Sequence, residues 1–259
     1  VEFPAKREEI SLTSGIRVSV DGFSSTAFDA ALQRLAMLGV EETEHGVQVW
    51  VKHTDESLQV GGYHLVVDAQ GVKILAGEAS GAFYGLQSVA ALLSIPSLTL
   101  PHVKIKDEPH YQYRGQHLDV ARNFHSKEMV LALIRQMAAY KLNKLHLHLA
   151  EDEGWRLALP SFPELTEIGS KRCMSLADDT CLQPQLGGAS SPERDGFYSV
   201  EDYIDILTVA KEHYIEVIPS LDMPGHSRAA IKAMEARYRH FMQQENEEEA
   251  FKYLLSDLD

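Results

Sequence analysis

Apolar and polar residues alternate at Val47, Val49 and Val51, at Tyr63, Leu65 and Val67, and at Val72 and Ile74, the two-residue period of half-buried strands. Between these runs Phe28, Leu32 and Leu35 recur at helical spacing before Gly39, and Phe83, Leu86, Gln87, Ala90 and Leu93 mark a second helix. Strands interspersed with two helices predict a small α+β domain. A last strand-like run, His102 to Lys106, leads into Asp107-Glu108-Pro109, where the proline disfavours helix at Glu108 and punctuates the chain. The boundary is placed there, giving a first domain over 1–108 and a second over 109–259.

Beyond the boundary the pattern changes. Tyr113 to Val120, Lys144 to Leu149 and Ile215 to Leu221, each followed or preceded by a helical pattern, are expected to be parallel strands covered by helices. After the first of them, Ser126 is placed as the N-cap of a helix showing Val130, Leu133, Ile134 and Met137 on one face. Before the third, Ser199 with Asp202 three residues on forms a capping box for a helix bearing Tyr203, Ile206, Leu207 and Ala210. A closed eightfold α/β barrel needs roughly 250 residues, far more than follow Tyr113. The expected fold class is therefore α/β: a small α+β domain, then about three βα units of an incomplete (β/α)8 TIM barrel. A helical segment after Met223 and an acidic tail, Glu245 to Asp259, expected as a solvated helix or a disordered end, complete the reading.

The 259 residues are 44% apolar and 24% charged, ordinary globular composition and enough for one or two domains with real cores. A net charge of -14 and scattered Lys and Arg argue against nucleic acid as a partner. No run approaches the ~20 apolar residues of a membrane span. The chain opens at Val1 without an initiator Met or a basic-then-apolar leader, and reads as a mature protein or an excised piece. Cys173 and Cys181, eight apart, are either a small disulfide loop of an oxidising compartment or two free thiols.

In parallel α/β folds ligands sit at the C-terminal ends of the strands. Arg122 lies just past the first strand, Glu151 and Asp152 just past the second, and Asp222 and His226 at and just past the third, so all should face one mouth. Arg122 is a fixed cation with a planar donor fork, suited to adjacent sugar hydroxyls or a carboxylate; a surface salt bridge is the plainer reading. Asp222 and His226 flank the turn Met223-Pro224-Gly225, where a histidine beside carboxylates is a proton relay or orienting group, against a capping Asp with a satisfied His. His146 and His148 share one face of a strand, the interior of a barrel, and with His226, Glu151 and Asp152 nearby could ligate zinc; hydrogen-bonded core histidines are the alternative. In Gly154-Trp155-Arg156 the indole is either a sugar-stacking face or loop packing.

Read together, Arg114-Gly115 with Leu118-Asp119-Val120-Ala121-Arg122-Asn123-Phe124 resembles the first barrel strand of glycoside hydrolase family 20. Lys141-Leu142-Asn143-Lys144 with His146-Leu147-His148-Leu149 and Glu151-Asp152-Glu153-Gly154-Trp155-Arg156 resembles the second strand and its loop, and Ile218-Pro219 with Asp222-Met223-Pro224-Gly225-His226 the third. Gly81-Ala82-Phe83-Tyr84-Gly85-Leu86-Gln87-Ser88 is similar to the helix of the α+β domain that precedes the barrel there. Lys171-Arg172-Cys173, Thr180-Cys181-Leu182 and Pro184-Gln185-Leu186-Gly187 look most like bacterial chitobiases, which implies a Cys173–Cys181 disulfide and a periplasmic or secreted protein.

The resemblance implies a retaining exo-β-N-acetylhexosaminidase acting on chitin oligosaccharides, with the substrate's own acetamido group as nucleophile and no cofactor. The family's acid/base Glu and partner Asp come from a Gly-x-Asp-Glu stretch at the fourth strand, which this chain lacks, so no catalytic pair is expected within it and the chain alone is expected to be inactive. By resemblance Arg122 would bind the 3- and 4-hydroxyls of the terminal sugar, His226 would link Glu151 to the absent Glu, and Asp222 and His148 would support them. The family's usual residues differ at two places: Asp stands at the position of Glu151, so that Asp152 could share the relay, and an acid at that of Ser220. The other function class is a non-catalytic N-acetylglucosamine-binding or assembly module, and an unclosed barrel is expected to self-associate or to need its missing half.

Overall fold

The alternating runs of the first hundred residues pair into a mixed sheet, described here from a computed structural model over residues 1–4, 8–174, 180–184 and 195–254. The chain divides into two compact units. The first is Val1–Arg114 with Arg135–Asn143 and Lys211–Ile215, and the second is Gly115–Ile134, Lys144–Ala210 and Glu216–Asp259.

The first unit carries β1 (Glu9–Ser11), β2 (Ile16–Asp21), α1 (Asp29–Met37), β3 (Val47–His53), β4 (Tyr63–Asp68), β5 (Gly71–Ala76), α2 (Ala79–Leu92), β6 (Thr99–Pro101) and β7 (Val103–Asp107). Its five-stranded sheet runs β2-β3-β5-β4-β7, with β3 parallel to β2 and β5, and β4 antiparallel to β5 and β7; β1 pairs with β6 separately. The period of two has its expected result: Val49, Val51, Leu65, Val67, Val72 and Ile74 are all buried, each contributing roughly 1.5–3 kcal/mol of apolar burial. The Tyr63 hydroxyl is sealed inside, donating to Asp107 Oδ2 at 2.7 Å, accepting from Lys141 Nζ at 2.8 Å and meeting Ser88 Oγ at 2.6 Å. Burial pushes that phenol well above its ordinary range.

The second unit carries β8 (Gly115–Asp119), most of α3 (Lys127–Ala139), β9 (Lys144–Glu151), β10 (Gly154–Trp155), α4 (Glu164–Glu167), most of α5 (Val200–Glu212), β11 (Glu216–Leu221), α6 (Arg228–Gln243) and α7 (Glu247–Ala250). β9 is flanked in parallel by β8 and β11, so the three βα repeats read from the apolar runs are present, and β10 folds back on the end of β9. α5 starts on the expected reciprocal cap, Ser199 N to Asp202 Oδ2 at 3.1 Å and Asp202 N to Ser199 Oγ at 3.0 Å. The acidic tail, expected as a solvated helix or a disordered end, forms a short helix with Glu247 and Glu248 exposed, and its apolar positions then pack down. Asn246 caps α7, Ala250 is fully buried, Glu249 is held by Lys252 Nζ at 2.6 Å, and the Tyr253 ring stacks on Phe241 of α6. The apolar positions Ala250 and Tyr253 outweigh the charge pattern there; residues 255–259 lie outside the described residues.

Candidate active site

β8, β9 and β11 end side by side, and the sequence places a charged residue at or just after each end: Asp119 closes β8, Glu151 closes β9, and Asp222 follows β11. Parallel strands in register make this convergence unavoidable, since His148 pairs with Asp119 on one side and with Ser220 on the other. Asp119 then turns the chain: its Oδ1 accepts from the Arg122 backbone N–H at 3.0 Å and its Oδ2 from Arg122 Nη1 at 2.6 Å. Burial pushes the Asp119 carboxyl up, but these Arg122 contacts prevail and hold it below the usual carboxylate range.

Glu151 is the hub. It is 2% exposed, yet both carboxylate oxygens are satisfied: Oε1 by Arg122 Nη2, with His148 Nε2 at 3.5 Å, and Oε2 by His226 Nδ1 at 3.1 Å and the Asp152 N–H at 3.0 Å. A buried charge is stable only when so paired. Arg122 is 43% exposed and also lies 3.7 Å from Glu153, and its charge is reinforced first by the Asp119 hydrogen bond. His226, in the left-handed region at φ 55°, is aimed at Glu151 by the Asp222-to-His226 turn, with Asp152 Oδ2 3.8 Å away. Glu151 therefore makes the shorter contact with His226, and Asp152 is shared by donating its N–H to Glu151 and accepting from the Arg228 N–H at 3.0 Å.

The Arg122 backbone is clamped from beneath. Arg156 is fully buried and donates to the carbonyls of Val120, Ala121, Ser170 and Gly196 at 2.9–3.2 Å, and burial lowers its pKa to about 10. Arg172 donates to the carbonyls of Arg122 and Glu153, next to the Cys173–Cys181 disulfide, whose Cα atoms are 5.8 Å apart. Gln185-Leu186-Gly187 of the same loop lie outside the described residues.

At two places the structure decides between the alternatives the sequence left open. Trp155 is not a sugar platform: it is 8% exposed, donates Nε1–H to Leu157 O at 2.6 Å, and packs with Leu165, Ile168 and Leu182. Nor do His146, His148 and His226 form a zinc trio. Among the described residues the groups with three ligand atoms within 4.8 Å are His148, Glu151 and Asp222, and Glu151, Asp152 and His226, while His146 and His148 both turn a ring nitrogen to Ser220. Sequence reasoning gave no role to Asp119, Glu153, Arg156 or Arg172; Asp119, as the last residue of a strand, carried the one signal that could have found it.

Three carboxylates, Asp119, Glu151 and Glu153, face the Arg122 guanidinium, and two more, Asp152 and Asp222, lie close to Glu151. The excess of carboxylates disfavours anions and suits a ligand that gains positive charge. Residues 111–256 match the family model of the glycosyl hydrolase family 20 catalytic domain, and residues 2–108 that of domain 2 of the same family. The chain belongs to glycosyl hydrolase family 20. Family 20 relatives similar to it include β-hexosaminidase B of Pseudoalteromonas piscicida, 51% identical over 96% of this chain and 32% of the relative. The N,N'-diacetylchitobiase of Vibrio harveyi is 44% identical over 98% of the chain and 29% of its own length. The chain thus spans about a third of these family 20 proteins. The crystal structure of the family 20 exo-β-N-acetylglucosaminidase of Vibrio harveyi in complex with N-acetylglucosamine superposes with a TM-score of 0.77, 33% identity, 90% coverage of this chain and 36% of that one. No helix among the described residues is long and apolar enough to cross a membrane.

Proposed function

We propose that the chain is the sugar-gripping and supporting part of a retaining exo-β-N-acetylhexosaminidase that removes terminal N-acetylglucosamine from chitobiose-like oligosaccharides. The observation that carries this reading is the Arg122–Glu151–His226 cluster at the ends of three parallel strands. Arg122 has five N–H donors, and its carboxylate partners leave part of the fork for vicinal hydroxyls of a terminal sugar. Glu151 holds His226 through Nδ1, so that Nε2 serves an acid/base carboxyl; Asp222 and His148 steady this relay.

The chemistry itself would be substrate-assisted, with the acetamido oxygen attacking the anomeric carbon while a Glu protonates the leaving oxygen. The positive charge that develops suits the surrounding carboxylates. No Gly-x-Asp-Glu stretch occurs in the 259 residues, so the chain alone is expected to bind and not to hydrolyse. The disulfide supports a periplasmic or secreted location.

The test is hydrolysis of a chromogenic β-N-acetylglucosaminide by the longest polypeptide in which the chain occurs. Arg122→Ala should lower kcat/KM by roughly 100-fold, mostly through KM. Unchanged kinetics would remove Arg122 from the sugar site, and sugar binding without turnover in that polypeptide would favour a non-catalytic binding module.

A further inference from the structure

Beneath the site, Ser220 on β11 stands between two imidazoles of β9: its Oγ lies 2.7 Å from His146 Nε2 and 2.8 Å from His148 Nδ1. His148 is 6% exposed, and its other nitrogen, Nε2, faces Glu151 Oε1 at 3.5 Å. A hydroxyl has one proton to give and lone pairs to accept with, so it donates to one histidine and accepts from the other. A neutral imidazole is a donor at one nitrogen and an acceptor at the other.

These rules, applied to the observed contacts, leave one neutral arrangement that suits Glu151. A carboxylate facing a bare Nε2 lone pair is repelled, whereas an Nε2–H is attracted. His148 then carries its proton on Nε2, its Nδ1 is an acceptor, Ser220 donates to it, and His146 donates its Nε2–H to Ser220. The opposite direction, His148 Nδ1–H to Ser220 and Ser220 to His146, turns the His148 lone pair onto Glu151 unless His148 is a cation. The groups facing the pair are His117 from β8, with its ring 4.6 Å from His146 and 6.0 Å from His148, Asp119 at the end of β8, Asp222 after β11, and Glu151.

We infer that Ser220 is a positioning residue that fixes His148 in the neutral Nε2–H tautomer, and through it orients the Glu151 carboxylate that holds Arg122 and His226. An acidic side chain at 220 would do the reverse, since a carboxylate only accepts: it would draw a proton onto Nδ1 and make His148 a cation.

The catalytic consequence rests on the proposed function; the tautomer does not, and it is measured without turnover. Histidine-labelled full-length protein is examined by two-bond proton–nitrogen correlation NMR near pH 7. The wild type should show His148 protonated at Nε2 only, Ser220→Thr should keep that signature, Ser220→Ala should give a tautomer mixture, and Ser220→Asp should give the doubly protonated ring. Nδ1–H or a cation in the wild type would overturn the inference, even if Ser220→Ala fails to fold. In the hydrolysis assay Ser220→Ala should lower kcat/KM about ten-fold, with rescue by Ser220→Thr and a shifted pH profile. Unchanged tautomers with lost activity would refute the positioning role; expected tautomers in a protein with no hydrolysis would leave it standing and remove the proposed function.

Discussion

His146 sits where burial, and then the neighbouring His117 and His148, all disfavour its charge, so its pKa lies below the ordinary histidine value, with Asp222 opposing. The unfolded chain therefore binds more protons than the folded one as pH falls below about 6.5. The stability contributed by the neutral ring is fully present above that pH and is lost on the way down to the lowered folded value. Urea unfolding midpoints at pH 7.5 and pH 5 should show this fall, and His146→Gln should flatten it; an equal slope in the variant would assign the pH dependence elsewhere. At this scale Arg122, Glu151 and His226 were legible because each is an ionisable residue at or shortly after a strand end. Arg156 and Arg172 were not, because their partners are backbone carbonyls, which leave no mark in a pattern of side-chain charges.

Among the elements, the apolar runs marked β9 and β11 and the Ser199-Asp202 spacing marked the start of α5, because each rests on contacts only a few residues apart or on a fixed period. The short β10 was invisible: two residues have no period, and its place is decided by Arg156, brought from the loop to the carbonyls after β8. Gly154 records that constraint, since a Cβ there would lie 2.6 Å from Arg156 Nη2 and 2.7 Å from the Ala121 carbonyl. Gly154→Ala should therefore destabilise the protein by about 2–4 kcal/mol, with the guanidinium forced off its acceptors. Gly225→Ala, where nothing lies within 4 Å, is the matched control and should stay within about 0.5 kcal/mol. Equal melting temperatures for the two variants would show that the loop relaxes around the new methyl.

For the whole molecule, β8 and β11 each hydrogen-bond to β9 and to no other described strand, and Ile204, Leu207, Leu221, Met223 and Ile231 are exposed. Open strand edges beside apolar side chains recruit further chains. The 259-residue chain on its own should run above 28.9 kDa by light scattering and rise in mass with concentration. A concentration-independent monomer would show that those edges are protected.

β9 has a different standing from its neighbours. Among the described strands of the second unit it alone is bonded along both sides, and its last five residues, Leu147 to Glu151, are all buried. Each of its amides is bonded to one flanking strand or the other in the middle of the sheet, so they should be the slowest of that unit to exchange with deuterated solvent. The floor of the site is thereby anchored to the part of the unit that opens least often.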